Sequence, residues 1–245
     1  MNAGGDVTIR EMTPDDAGAG FGLSCASGWN QTQADWLYLL EQNLGRFVAA
    51  FSAGRLVGTG GANCYSNRLA WVCMILVDEA ERGRGVGTRI VAAVLERLSG
   101  VPTVGLDATP RGRGVYERLG FTAAAGLVRM GGAADRMPRG CGGKPRLVED
   151  GDWEAILELD REAFGADRSR ALRWARTLAP ELAWCLLEEG QLAGYCFGRF
   201  GDRAVHLGPV VARSAAAGLA LVESAAACVP GRDLMLDVPT AEGAW

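Results

Sequence analysis

Residues 72–98 hold the feature that most constrains the chain. Val72–Val77 is an unbroken apolar run of strand length. Arg82-Gly-Arg-Gly-Val-Gly87 is a turn rich in glycine and arginine. Thr88–Leu98 places apolar residues at 90, 91, 94, 95 and 98. The first pattern is that of a buried strand, the last that of a helix with one apolar face. A strand feeding a glycine-rich turn into a helix start builds an anion site. The first helical N–H groups have no intrahelical acceptor and point toward the turn, and the peptide dipoles favour negative charge there. Gly83, Gly85 and Gly87 let backbone come close to a phosphate, and Arg82 and Arg84 bring charge-assisted hydrogen bonds. The turn is no P-loop, which needs Gly-Lys-Ser/Thr. Its Gly-x-Gly-x-Gly spacing also departs from the dinucleotide fingerprint Gly-x-Gly-x-x-Gly.

A second motif follows. Val104–Ala108 is a strand candidate, and after it comes Val115-Tyr-Glu-Arg-Leu-Gly-Phe121. Arg82, Gly85 and Gly87 fill the fixed positions of Arg/Gln-x-x-Gly-x-Gly/Ala, Val77 stands at the strand-end valine, and Tyr116, Gly120 and Phe121 match Tyr-x-x-x-Gly-Phe. With both motifs in this order, residues 7–132 resemble the GCN5-related N-acetyltransferases (GNAT). The resemblance implies an α/β (α+β) fold with a mixed, twisted sheet and helices against its faces, the acyl-CoA N-acyltransferase fold. It implies acetyl-CoA as cofactor, held by Ile75, Leu76, Val77, Arg82, Gly83, Arg84, Gly85, Val86, Gly87 and Thr88, with the strand ending at Val77 splayed from its neighbour. It implies that Tyr116 lies near the coenzyme sulfur as the acid that protonates the departing thiolate. Where the family often has asparagine, seven residues before that tyrosine, this chain has Thr109, whose hydroxyl would bond the coenzyme arm.

Taken in order, Val7–Met12 reads as an edge strand, and Thr13-Pro14-Asp15-Asp16 as a helix start with a capping box. A second helix begins near Thr32, anchored by Trp36, Leu37, Leu40 and Leu44, with Trp36 in the core. Between these helices lies Gly28-Trp29-Asn30-Gln31. In an acetyltransferase of this type that loop borders the acceptor pocket, so Trp29 would pack against the acceptor and Asn30 and Gln31 hydrogen-bond it. The plainer reading has Trp29 roofing the core and Asn30 capping a turn. Strands at 47–52, 55–63, 68–77, 104–108 and 121–130, with helices at 88–98 and near 112–119, complete the order β-α-α-β-β-β-α-β-α-β.

The second half repeats the first faintly. Residues 145–156 parallel residues 8–17, Gln191–Gly198 parallels Arg55–Ala62, Ala204–Ala212 parallels the strand before the arginine–glycine turn, and residues 234–239 parallel residues 104–110. This predicts a catalytic domain at 1–135, a linker at 136–144 and a degenerate domain at 145–245. No Arg-x-x-Gly-x-Gly occurs in the second copy, where Arg213-Ser-Ala-Ala-Ala-Gly218 stands instead. That copy also reads as incomplete, without a last helix and strand, so that further chain beyond Trp245 is expected. Asp160, Phe164, Asp167 and Arg168 are candidates to help shape the first half's pocket, with a solvated helix face and one core aromatic as the plainer reading, and Met1–Asp6 reads as a loose leader.

Composition narrows the function. A net charge of −4 over 245 residues argues against a nucleic-acid partner. No early charged-then-apolar leader and no long apolar run occur, which places the protein in the cytoplasm without a membrane partner. Seven cysteines without a C-x-x-C pair and a single histidine, His206, give no metal site. The expected function is transfer of acetyl from acetyl-CoA to a primary amine of a small molecule, by direct attack in a ternary complex. A non-catalytic acyl-CoA binder and a protein or peptide acetyltransferase are the alternatives, and a homo-oligomer stays open. An amine with a reference pKa of about 10.4 must lose a proton before attack. Asp107 is the candidate base, though it can equally orient the end of its strand. Cys73 reads as a buried thiol, and Glu79 and Glu81 are expected to face solvent.

Overall fold

A computed structural model describes residues 6–65, 67–137, 140 and 143–240. The expected leader at 1–6 lies, apart from Asp6, outside them, as does Trp245. The chain divides into two compact units, residues 1–123 and 124–245. No helix among the described residues is long and apolar enough to cross a membrane.

The first unit comprises β1 (Thr8–Glu11), α1 (Ala17–Ala26), α2 (Gln33–Gln42), β2 (Val48–Ser52), β3 (Arg55–Tyr65), β4 (Leu69–Val77), α3 (Val86–Arg97), β5 (Thr103–Leu106) and α4 (Arg113–Arg118). Its sheet has the order β1-β2-β3-β4-β5, antiparallel except for the parallel pair β4–β5. Alternating side chains send two cores to its two faces. Val48, Ala50, Ala62, Ala70 and Val72 pack with Val86, Ile90 and Val94 of α3. Phe47, Ala49, Met74 and Leu76 pack with Leu23, Trp36 and Leu40 of α1 and α2. Trp36 is fully buried, as expected, and its indole donates to Ser24 Oγ (3.0 Å). Leu44, expected as a helix anchor, is exposed because α2 ends at Gln42, with Asn43 as its C-cap. The Asn43 amide donates instead to Leu39 O and Asn63 Oδ1, each at 3.0 Å.

The glycines of β3 leave room for both layers. A Cβ on Gly61 would lie 2.2 Å from Phe47 Cδ1, and one on Gly60 2.4 Å from Ile90 Cγ2. Gly61→Ala is therefore expected to cost about 1–3 kcal/mol by overpacking. Urea unfolding checks this, and an unchanged midpoint would mean that Phe47 moves aside freely.

The second unit comprises β6 (Leu127–Ala133), β7 (Arg146–Leu147), α5 (Trp153–Phe164), α6 (Ser169–Leu178), β8 (Trp184–Glu188), β9 (Gln191–Phe200), β10 (Val205–Ala212), α7 (Ala215–Ala227) and β11 (Asp233–Pro239). Its sheet order is β7-β8-β9-β10-β11-β6. Without β6 this repeats the first unit strand for strand, and the repeat reaches individual atoms. Arg10 donates twice to Asp16, whose Oδ2 also accepts from Thr13 N (2.9 Å). Arg146 donates twice to Asp152, whose Oδ2 accepts from Glu149 N (2.8 Å). In each pair the guanidinium is the main cause that lowers the carboxyl pKa. A depressed carboxyl stabilises the fold above its unfolded pKa of about 3.9 and stops doing so as pH falls through the folded value. Thermal melts should therefore lose stability below about pH 4, less so in an Arg10→Met, Arg146→Met double variant.

Strand β6 corrects two expectations. It was expected at 121–130 as the last strand of the first half, yet it begins at Leu127 and pairs antiparallel with β11, from Pro239↔Leu127 to Asp233↔Ala133. The division accordingly precedes β6, whereas the expected boundary followed residue 135. The expected linker begins as the 3-10 turn Ala134–Arg136, with residues 138–139 and 141–142, including Cys141, outside the described set. The second sheet was also expected to lack its last strand. The ladder between β10 and β11 holds Val205↔Leu234 and His206↔Met235, so most of β11 needs a partner on its other edge, and β6 supplies it.

The reading of a solvated face on α5 also changes. Asp160 is 2% exposed. It accepts three bonds from Arg168 at 2.7–3.0 Å and one from the Tyr195 hydroxyl. Arg168 also lies over the Phe164 ring, 4.2 Å from its centroid. Asp167 is exposed and accepts from Ser169 N (2.9 Å).

Candidate functional site

The site is built around an interruption in β4. The register with β3 passes from Thr59↔Leu76 to Gly61↔Cys73, so Gly60 faces both Met74 and Ile75 in a β-bulge. Met74 takes φ +56°, rare for a residue with a side chain, and Thr59 Oγ1 donates to its carbonyl (2.9 Å). Consequently Cys73 and Met74 pack toward α1 and α2, while Ile75 and Val77 turn to the α3 face. On the other edge, the ladder with β5 runs from Leu69↔Thr103 to Val72↔Leu106. Beyond Val72, β4 continues to Val77 with a ladder to β3 alone. One edge of Cys73–Val77, including Ile75, Leu76 and Val77, is thus left outside the sheet ladder.

The arginine–glycine turn begins where β4 ends. Asp78 pairs with Arg55 and accepts from Ala80 N (2.9 Å), starting the 3-10 turn Glu79–Glu81. Gly83 and Gly85 hold left-handed φ values of +75° and +76°, and nothing lies within 4 Å of where their Cβ atoms would be. Gly85 is the N-cap of α3 and offers no side-chain acceptor, so the first helical N–H groups face the turn uncapped by it. Val86 is buried, Thr88 half-buried, and Gly87 sits against Val77, with a 3.5 Å separation from Val77 Cγ2 for an added Cβ. Arg82 is drawn back, its Nε donating to Val77 O (3.1 Å), so it ties the turn to the strand end. Arg84 pairs with Glu81, which is buried. That corrects the expectation that Glu81 faces solvent, because the ion pair satisfies its charge inside the turn. Glu79 is exposed as expected.

Tyr116 and Thr109 belong to one segment. Thr109 starts α4: its carbonyl accepts from Gly112 N (2.9 Å) and Arg113 N (3.0 Å), and its Oγ1 from Gly112 N (3.2 Å). The Tyr116 ring lies against Gly112, where a Cβ would come 3.1 Å from Cε2, and edge-on to Phe121 at 6.1 Å. Burial raises the phenol above its usual pKa of 10, so it stays protonated at neutral pH.

Asp107 follows β5 and is exposed, with Oδ2 accepting from the Trp71 indole (3.0 Å). Trp71 was not singled out from the sequence. The available signal was Gly105 inside a strand candidate, for an added Cβ there would lie 2.5 Å from Trp71 Cζ3. Asn63, opposite Trp71 in the register, was also missed. It donates to Tyr65 Oη (2.8 Å) and accepts from Asn43.

In the α1–α2 loop, Trp29 packs on the cluster that holds Trp36, Met74 and Leu76, and Asn30 is buried. Gln31 Oε1 is buried with no hydrogen-bond partner among the described residues. The Cys73 thiol is pushed up to about 12 by burial, which keeps it protonated and poorly nucleophilic at neutral pH. The structure thus gathers Val77, Arg82 and Gly87 at one end of β4, and Trp29 on its α1–α2 face. Asp107 is held to β4 by Trp71, and Thr109 and Tyr116 meet across Gly112.

The second unit repeats the bulge but not the turn. The β9–β10 register passes from Gly198↔Leu207 to Cys196↔Val210. After Ala212, however, only Arg213 and Ser214 precede α7, in place of residues 78–85. Ser214 Oγ accepts from Ala217 N (3.1 Å), capping the helix start with the chain's own oxygen.

A family model described as acetyltransferase (GNAT) family matches residues 16–121, and one described as acetyltransferase (GNAT) domain matches residues 156–244. Among solved structures, a Pyrococcus horikoshii protein provisionally named an acetyltransferase is 26% identical, with a TM-score of 0.76, over 96% of this chain and 80% of its own. A GCN5-related N-acetyltransferase from Sphaerobacter thermophilus shares the fold at 21% identity and TM-score 0.70, over 96% of this chain and 87% of its own. One from Kribbella flavida does so at 21% identity and TM-score 0.59, over 97% and 66%. No match was found among curated proteins.

Proposed function

Because the chain belongs to the GNAT acetyltransferase family, with a domain of that family in each half, we propose that its first domain moves an acetyl group from acetyl-CoA to a primary amine of a small molecule. One observation carries this reading. A helix start without a side-chain cap, opened by left-handed Gly83 and Gly85, stands directly after a strand whose edge β5 leaves at Val72. The first feature fits a pyrophosphate, and the second fits the amides of a pantetheine arm.

The coenzyme supplies an activated thioester. The backbone N–H groups from Gly83 to Thr88 receive its phosphates, with Arg82 and Arg84 at the rim and Val86 and Gly87 seating the helix on Val77. Ile75, Leu76 and Val77 offer backbone groups to the arm. Thr109 offers its hydroxyl, which also accepts from Gly112 N ahead of α4. Asp107 takes the proton of the amine, and Tyr116 gives one to the departing sulfur. Trp29, Asn30 and Gln31 border the acceptor, and the unpartnered oxygen of Gln31 suits an N–H donor. Holding amine and thioester in register supplies much of the acceleration. The six described cysteines form no disulfide, which fits a reducing compartment such as the cytoplasm.

The second domain binds no coenzyme in this reading, because Ser214 already occupies the first turn of α7. Calorimetry with acetyl-CoA should show one site per chain. Gly85→Val should weaken it at least about tenfold, since a branched side chain strains the left-handed turn and covers the N–H groups. Two equivalent sites, or undiminished binding by that variant, would overturn the assignment.

A further inference from the structure

We propose that Trp71 is a positioning residue for Asp107. Its indole N–H fixes one carboxylate oxygen where β4 and β5 part and leaves the other to receive the amine's proton. This rests on the proton-accepting role of Asp107 proposed above.

Three observations on the first unit support it. The last pair of the parallel ladder is Val72↔Leu106, so Trp71 and Asp107 flank the point of separation. The ring crosses Gly105, a position where any side chain would collide with it at 2.5 Å. The indole then meets Oδ2 at 3.0 Å, and among the described residues Oδ1 receives no hydrogen bond. A glycine in a strand sacrifices packing and costs conformational entropy, and here it makes room for the ring.

The second unit supplies an independent comparison. Trp71 faces Gly105 and His206 faces Met235, and two residues further on stand Asp107, just past β5, and Asp237, within β11. His206 therefore holds the place of Trp71, and Asp237 that of Asp107. Again a ring nitrogen approaches the carboxylate, His206 Nε2 lying 3.7 Å from Asp237 Oδ2. There Arg129 of β6 takes both oxygens, each at 2.8 Å. The second carboxylate is engaged on both oxygens. Among the described residues the first has a single ring donor, which leaves one oxygen for chemistry. When the amine attacks, the new N–C bond forms and the C–S bond breaks. The amine proton passes to Asp107 Oδ1, and Tyr116 returns a proton to sulfur.

The test compares the full chain with W71F, W71H and D107N. In nitrogen-15 spectra the Trp71 indole N–H, identified by its loss in W71F, should exchange slowly with solvent and lose that protection in D107N. Acetyl-CoA affinity in W71F should stay within about twofold of wild type, while release of coenzyme A thiol with ethanolamine, putrescine or tyramine slows about tenfold in kcat. W71H, which carries the donor found in the second unit, should recover most of that loss. Wild-type kcat in W71F, or an indole that exchanges as freely as an exposed tryptophan, would overturn the proposal. So would a W71F defect seen as lost coenzyme binding with kcat intact. If the wild type releases no thiol with any of these amines, the proposed activity fails, while the indole exchange still decides the contact.

Discussion

Asp160→Ala is expected to destabilise the second unit by about 3–5 kcal/mol, because it strands a buried cation rather than merely deleting a contact. Asp160 is 2% exposed and the Arg168 side chain 17%. Arg168 reaches the carboxylate through both Nε and a terminal nitrogen, and Tyr195, fully buried, donates its hydroxyl to the same oxygen. The junction ties α5, the start of α6 and β9 together. Burial raises the Tyr195 phenol pKa, so the hydroxyl remains the donor throughout the ordinary pH range. Alanine leaves a guanidinium and a phenol without their acceptor in a low-dielectric setting. Urea unfolding should show a large fall in midpoint, with far-ultraviolet circular dichroism as a second probe. Replacing both charged groups, as Asp160→Leu with Arg168→Met, should recover much of the loss, since desolvation largely offsets the attraction of a buried pair. A cost below about 1 kcal/mol for Asp160→Ala would mean that the pair behaves as a surface ion pair.

Tyr116→Phe is expected to lower kcat by about a hundredfold while acetyl-CoA affinity stays near wild type. The substitution keeps the ring, and with it the packing against Gly112 and Phe121. It removes only the hydroxyl. The wild-type phenol must be protonated to act as an acid, and burial places its pKa above 10. Turnover attributable to it should therefore persist through neutral pH and fall only once pH passes the raised phenol pKa. The phenylalanine variant should lack that alkaline limb. Steady-state rates across pH, with binding measured separately by calorimetry, decide the matter. A variant as fast as wild type would remove Tyr116 from the chemistry, and a loss confined to binding would make it a packing residue.

The local features of the first half were legible because each is written within a few consecutive residues. Val72–Val77, the arginine–glycine turn and the helix after it follow from apolar spacing and glycine placement. Thr13 and Asp16 show a helix start through a capping box. The repeat was legible too: within the parallel between residues 8–17 and 145–156, Arg10 pairs with Asp16 and Arg146 with Asp152. Less legible was the placement of β6. Leu127–Ala133 is exposed along most of its length and shows no alternation, and nothing local says which sheet will accept it.

What the chain determines by itself is therefore the family, the element order of each half, and the turn that only glycines can form. Tertiary structure decided the rest. It set β6 beside β11, put the bulge at Met74, buried Asp160 with Arg168 and Tyr195, and placed the Trp71 indole on Asp107. The reason is distance along the chain. Turns, caps and helix faces arise from neighbours a few residues apart, so their pattern is readable in sequence. The Trp71–Asp107 bond spans 36 residues and the Arg129–Asp237 pair 108, and such partners are chosen only when the sheets assemble and buried polar groups must find one another.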